Sequence, residues 1–148
     1  MTDFLSRKER SIRMGLIRSM RNKSTEERMA ALMRSGKIPG WRRGAKLPGR
    51  PDFVFRRQRL ALFIDGCFWH GCPKHFKLPR TRTPFWRRKI DSNQARDLRV
   101  VAELRLLGWR SLRVWEHELK TTRSMALLRK LRRQLRVAPL KLPPGRRT

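Results

Sequence analysis

The sequence predicts an α/β fold, a central mixed β-sheet flanked by helices. Two short apolar runs, Phe53-Val54-Phe55 and Leu60 to Ile64, are separated only by Arg56-Arg57-Gln58-Arg59, which reads as an antiparallel hairpin. A helical pattern closed by Gly108 follows the second run, and Trp109 to Trp115 then reads as another strand. Strand, helix and strand in that order form a crossover unit, whose strands should be parallel and connected in the right-handed sense.

Each element has its own signal. Residues 5 to 20 mix basic and apolar residues, with Ile12, Leu16 and Met20 at four-residue steps, a helix pattern. Ser24-Thr25-Glu26-Glu27 matches a capping box with Ser24 as N-cap, so a second helix is expected from there to about Gly36, with Met29, Leu32 and Met33 as its apolar residues. Pro39, Gly40, Gly44, Pro48 and Gly49 then punctuate a basic loop that could lie along a phosphate backbone, with Trp41 as a packing anchor. With the hairpin turn centred between Gln58 and Arg59, Asp52 is expected directly opposite Asp65. Opposed residues on antiparallel strands have Cβ atoms about 5 Å apart, close enough to share a divalent cation. Thr83-Pro84 reads as N-cap and first residue of the crossover helix, which carries Val100, Val101, Leu104 and Leu107 on one face. Parallel strands end at the same edge, so Glu116 and His117 should arrive beside Asp65 to His75. Residues 124 to 135 predict a basic helix with Leu127, Leu128, Leu131 and Leu135 facing the sheet. The chain is expected to be one domain over residues 1–136, its core at about 14–119, followed by a basic, disordered tail at 137–148.

Charge narrows the function. Among 148 residues there are 39 Lys and Arg against 11 Asp and Glu, a formal net charge of +28. Such an excess repels itself in a compact state unless a polyanion neutralises it, which points to nucleic acid. Adsorption to a membrane surface has no support from a long apolar helix or a lipidation signal, and residues 1–7 lack the apolar region of a secretory signal. The expected setting is intracellular, where two cysteines five residues apart serve as metal ligands rather than as a disulfide.

The stretch Phe63 to His75 gathers both cysteines, two of the three histidines and Asp65. Cys67, Cys72 and His75, joined by His117 across the crossover, make a set of two thiolates and two imidazoles suited to tetrahedral, structural Zn²⁺. A small domain with this much repulsive charge gains folding free energy from such a staple. Asp52 and Asp65 on a basic surface suggest Mg²⁺-dependent cleavage of a phosphodiester. No lysine stands two residues after Asp65, where Cys67 is, and His70 is the natural substitute as general base or as stabiliser of the phosphorane. Glu26 is a candidate third carboxylate for a metal-bound water, although an acid early in a helix also suits the helix dipole. Phe68 and Trp69 put two large aromatics in a loop, where a core has little use for them and a DNA wedge would.

Leu47-Pro48-Gly49-Arg50-Pro51-Asp52, Gly66-Cys67-Phe68-Trp69-His70, and Lys77-x-Pro79-x-Thr81-Arg82-Thr83-x-Phe85-Trp86 together resemble the motifs of the very-short-patch-repair (Vsr) mismatch endonucleases. Lys89-Ile90, Asn93, Arg96-Asp97, Leu107-Gly108-Trp109-Arg110 and Val114-Trp115-Glu116 continue the likeness, which runs from about Met14 to Leu119. The resemblance implies a restriction-endonuclease-like fold that nicks DNA 5′ to the thymine of a T:G mismatch, the product of 5-methylcytosine deamination. It implies that Asp52 binds catalytic Mg²⁺, that His70 takes part in catalysis and that Glu26 supports the site. It also implies that Phe68, Trp69 and Trp86 wedge into the base stack, that Lys89 and Asn93 approach the mismatch, and that Met14 is an N-terminal wedge residue. A mismatched step is cheaper to unstack than a paired one, which suits such wedges. Two departures are specific to this chain. Asp65 stands where the family has a histidine, which moves the site towards a two-carboxylate metal nuclease. The zinc set is permuted, with Cys72, His75 and His117 where the family pattern has His, Cys and a distant Cys.

The resulting expectation is a monomeric DNA nicking endonuclease with catalytic Mg²⁺ and structural Zn²⁺. It should act on mismatched duplex DNA in the bacterial cytoplasm, at the nucleoid, with mismatch-repair proteins as the protein partners left open. Its competitors are a restriction or defence nuclease on the same fold without mismatch specificity, and a non-catalytic zinc-containing nucleic-acid-binding protein.

Overall fold

A computed structural model describes residues 6–141, with the side chains of 17–22 excepted. The sequence expectations for the N-terminal residues 1–5, the side chain of Met20 and the tail from 142 onward lie outside the described residues.

One helix, α1 (Arg7–Ser35), replaces the two expected. Ser6 is its N-cap, in a reciprocal capping box: the Ser6 N–H donates to Glu9 Oε2 at 2.8 Å and the Glu9 N–H donates to Ser6 Oγ at 3.2 Å. Ser24 is therefore an interior residue. Its Ser-x-x-Glu spacing is a capping signal only where the chain turns, and the arginines, lysine and methionines around it favour helix while no proline interrupts them. Gly36 closes the helix, its N–H donating to Leu32 O.

The sheet has four strands in the order β1 (Trp41–Arg42), β2 (Phe53–Phe55), β3 (Leu60–Asp65) and β4 (Arg110–Trp115). The first two pairings are antiparallel, and β3 pairs with β4 in parallel as the crossover requires. Strand β1 lies inside the expected basic loop. Trp41 is the anchor there, its ring edge-on to Phe53 at 5.4 Å and covered by the Arg34 guanidinium at 5.3 Å.

The hairpin corrects one expectation with consequences for the site. Phe55 pairs with Leu60 and Phe53 with Leu62, so the turn centres between Arg57 and Gln58, one residue earlier than expected. That displaces the register by two residues and sets Asp52 opposite Phe63 rather than Asp65. A shift of two keeps every side chain on its face. Asp52 and Asp65 thus remain on one side of the sheet, as diagonal rather than direct neighbours. Arg59, at φ +50°, completes the turn.

Helix α2 (Thr83–Leu106) is continuous, with Arg82 in the left-handed region as its N-cap. Thr83, expected as the cap, instead donates its hydroxyl back to the Pro79 and Arg80 carbonyls. Helix α3 (Ser124–Arg136) follows two short 3₁₀ turns, Glu116–Leu119 and Thr121–Arg123.

Three layers result. On one face of the sheet, Met29, Ala30 and Met33 of α1 and Leu127, Leu128 and Leu131 of α3 pack against Phe53, Phe55, Leu60, Leu62, Leu112 and Val114. On the other, Val100 and Leu104 of α2 cover Val54, Ala61 and Phe63. Strand β3, buried on both faces, is apolar at every position from Leu60 to Ile64 and ends on its one charge, Asp65. Among the described residues no helix is long and apolar enough to cross a membrane.

Candidate active site and metal centre

The parallel register sets Asp65 beside Trp115, so the chain leaves β3 and β4 at the same edge. The loop after β3 is pinned there from several sides. Glu116 Oε1 accepts the Cys67 N–H at 3.0 Å, the Asn93 side chain donates to the Trp69 carbonyl at 2.8 Å, and the Gln94 side chain donates to the His70 carbonyl at 3.1 Å. Gly71 makes the approach to α2 possible. Its φ is +65°, and a Cβ there would stand 2.6 Å from the Gln94 amide nitrogen.

Three of the four expected metal-ligand candidates lie in this loop, and His117 joins them from the turn after β4. One ligand atom from each of Cys67, Cys72, His75 and His117 lies within 4.8 Å of every other. Cys67 Sγ is 3.3 Å from His117 Nδ1, and Cys72 Sγ is 3.7 Å from both His75 Nδ1 and His117 Nδ1. A tetrahedral zinc with ordinary Zn–S and Zn–N bonds has ligand–ligand edges of about 3.3–3.8 Å, so the four residues could hold that ion with little movement. Burial pushes the Cys67 thiol up to about 11, and Cys72 beside it adds to the rise. Burial, then His75, pushes the His117 imidazole down. Sulfur packed on sulfur and imidazole against imidazole is a costly arrangement without a cation, and a bound metal turns it into a favourable one.

The second constellation lies on the α2 face. His70 Nδ1 is 2.6 Å from Asp97 Oδ2, and its Nε2 is 3.9 Å from Asp65 Oδ1. Asp65 is buried, and its Oδ1 accepts from the Arg113 guanidinium at 2.8 Å, while the other Arg113 terminal nitrogen lies 3.5 Å from Asp97. Burial raises the Asp65 carboxyl above its usual range, opposed by His70 and Arg113. Asp65, His70 and Asp97 could together hold a metal ion.

Asp52 stands next to this group, with its Oδ2 accepting the Ile64 N–H at 2.7 Å. Burial pushes its carboxyl up to about 7, against the pull of that N–H, and Glu26 hydrogen-bonded to it adds to the rise, as does Asp65. Glu26, far away in sequence on α1, therefore reaches Asp52.

The aromatic residues form one cluster along the same edge. Phe68 is 5.2 Å from Trp69 and 5.3 Å from Trp86, ring centre to ring centre, and Trp69 is 6.1 Å from Trp86. All three are half-buried, and Phe85 at the end of the cluster is exposed. Lys89 is exposed on α2, and Met14 is exposed far along α1. Asn93, in the segment expected to approach the mismatch, is buried, and its side-chain amide donates to the Trp69 carbonyl, which fixes the aromatic loop from beneath.

Two residues of the site carried no role in the sequence. Asp97 was visible only as part of a motif on a helix, and Arg113 only as one arginine among many. The residues facing Asp65 from β4 follow from the parallel register, which could have identified Arg113 had its alignment been fixed.

Comparison with known proteins agrees with this geometry. The family described as DNA mismatch endonuclease Vsr matches residues 2–76. DNA mismatch endonuclease Vsr of Escherichia coli K12 is 42% identical over 121 residues, 81% of this chain and 77% of the relative. Type II nicking enzyme V.XorIIP of Xanthomonas oryzae pv. oryzae is 42% identical over 120 residues, 80% of this chain and 88% of the relative. Type II nicking enzyme V.NaeI of Lentzea aerocolonigenes is 51% identical over 69 residues, 47% of this chain and 42% of the relative. With its mixed sheet, flanking helices and Cys/His cluster, the chain belongs to the Vsr family, whose fold is restriction-endonuclease-like, and it is a DNA endonuclease.

Proposed function

We propose that the chain nicks one strand of duplex DNA 5′ to the thymine of a T:G mismatch, in an Mg²⁺-dependent reaction, with Zn²⁺ as the structural ion of the Cys/His cluster. The observation that supports this reading best is His70 in the loop after β3, with Nδ1 held by Asp97 and Nε2 facing Asp65, while Phe68 and Trp69 of the same loop pack against Trp86 of α2.

Asp52 is the residue that would hold Mg²⁺, with Glu26 beside it to orient a bound water. The ion supplies charge for the scissile phosphate and lowers the pKa of its water. A carboxylate only accepts hydrogen bonds, so Asp97 keeps the ring proton of His70 on Nδ1 and leaves a lone pair on Nε2. Nε2 takes the proton of the attacking water as its oxygen bonds to phosphorus and the bond to the leaving oxygen breaks. Asp65 lies 3.9 Å from that Nε2. Phe68, Trp69 and Trp86 replace the stacking lost when the weak T:G step opens, and Lys89 contacts phosphate. Cys67, Cys72, His75 and His117 would hold Zn²⁺ and so fix the loop that carries His70, Phe68 and Trp69.

The direct test is Asp52→Ala on a T:G duplex, which should abolish nicking while DNA affinity persists. A variant nicking as fast as wild type would remove Asp52 from the site. A second reading, a nicking enzyme of a restriction system indifferent to mismatches, draws support from the relatives named as type II nicking enzymes. Parallel assays on T:G and fully matched duplexes in Mg²⁺ separate the two.

A further inference from the structure

We propose that Arg113 is the built-in cation of the active site: its guanidinium, spanning Asp65 and Asp97, takes the place of a second divalent ion, so that the site holds one such ion, at Asp52. This rests on the reading of Asp52 as metal ligand and His70 as base.

Asp65, His70 and Asp97 alone would make a competent cation site, since three of their ligand atoms lie within 4.8 Å of one another. Arg113 already fills it. The β3–β4 register sets Arg113 beside Phe63, two residues before Asp65, on the face that carries both. Its guanidinium lies 4.4 Å over the Phe63 ring, and that ring is itself buried. From this seat one terminal nitrogen reaches Asp65 at 2.8 Å and the other Asp97 at 3.5 Å, while Nε is buried without a hydrogen-bond partner. A side chain that leaves its Nε unsatisfied is held by its terminal contacts and its stacking, and an arginine keeps its charge at any working pH. A divalent ion entering beside Asp65 would meet this fixed positive charge at close range and be repelled.

The contacts of Asp52 are of the opposite kind, a backbone N–H and the carboxyl of Glu26. Once the proton shared by these two carboxyls is lost, two carboxylates face one another with no cation between them, and a divalent ion would take that place. Arg113 also acts as a positioning residue for the reaction. By engaging Oδ1 of Asp97 it leaves Oδ2 aimed at Nδ1 of His70, and by neutralising Asp65 it lets an anionic phosphodiester approach Nε2.

The test counts bound Mn²⁺ by electron paramagnetic resonance on the purified full chain without DNA, whose net positive charge keeps stray ions off the surface. Wild type should bind one ion, lost in Asp52→Asn and retained in Asp65→Asn. Arg113→Met should bind two, and Arg113→Met with Asp65→Asn should return to one. Nicking should fall about 10- to 100-fold in Arg113→Met and recover in part in Arg113→Lys, which keeps the charge without the fork. A wild-type count other than one, a wild-type ion lost in Asp65→Asn, or an Arg113→Met chain with native circular dichroism and a single ion each overturns the proposal. Should Arg113→Met fail to fold, Arg113→Gln, which stays polar but loses the charge, takes its place and should likewise bind two ions, a single ion there overturning the proposal. The reading beneath it fails differently: an Asp52→Asn chain that keeps its ion and nicks at the wild-type rate removes Asp52, while the other counts still report on Arg113.

Discussion

His70 is useful only in one tautomer and one orientation, and Asp97 supplies both through a 2.6 Å contact. Replacing His70 with Ala should cost nicking about 10²- to 10⁴-fold in single-turnover assays at unchanged duplex affinity. Asp97→Asn should cost about 10- to 100-fold, because an amide can turn its N–H towards Nδ1 and push the ring proton onto Nε2. Asp52 gives a pH signature. Its folded-state value of about 7 lies above the ordinary 3.8, so the stability that protonation of Asp52 contributes is fully present below about pH 4 and is lost as pH rises through 7. Mg²⁺ binds only the carboxylate. The metal-free melting temperature should therefore fall across that window, while the increment on adding Mg²⁺ grows, and Asp52→Asn should flatten both trends. Nicking should fall below pH 7 for the same reason. Asp52, His70 and Glu26 stood out in the sequence because scarce acids and histidines on a basic chain need an explanation. Arg113 did not, since nothing in a linear count separates one arginine from the others.

The loop between β3 and α2 carries His70, Phe68, Trp69 and three of the four Cys/His side chains, so its order should affect activity as a unit. Cys72→Ser should lower bound zinc, measured by elemental analysis, together with the melting temperature and the nicking rate, since an ion on this cluster would hold His70 and Trp69 indirectly. Freshly purified wild type without zinc would sink the staple. Helix α3 has a purely structural part: Leu131 is fully buried between it and the sheet, and Leu131→Ala should cost about 2–5 kcal/mol by denaturant unfolding without altering the site's chemistry. The helices were legible because their apolar residues recur with helical spacing. Their ends and the hairpin register were not, because a capping pattern and a turn residue each allow more than one local solution and packing selects among them.

For the whole molecule, charge governs association. With +28 and a duplex partner, affinity should fall steeply as salt rises, and Lys89→Ala should reduce the slope of log K against log salt by about one without changing sequence preference. Trp69→Ala should act differently, leaving that slope intact while narrowing the preference for T:G over matched duplex by about 1–3 kcal/mol. Binding titrations at several salt concentrations on both duplexes distinguish a phosphate contact from a stacking one.

The sequence by itself determined the crossover unit, the arrival of His117 at the Cys67–His75 loop, and the presence of a histidine next to two aromatics. Each depends on neighbours in the chain or on the fixed handedness of a β-α-β connection, which need no distances. The tertiary structure decided what depends on register and on side chains from separate elements. It moved Asp52 off Asp65 by two residues, placed Glu26 against Asp52, committed Asn93 to the Trp69 carbonyl, and brought Asp97 and Arg113 to His70 and Asp65. Those contacts span α1, α2 and β4, and only the packing of helices on a sheet of settled register gives a residue a partner so far away in the chain.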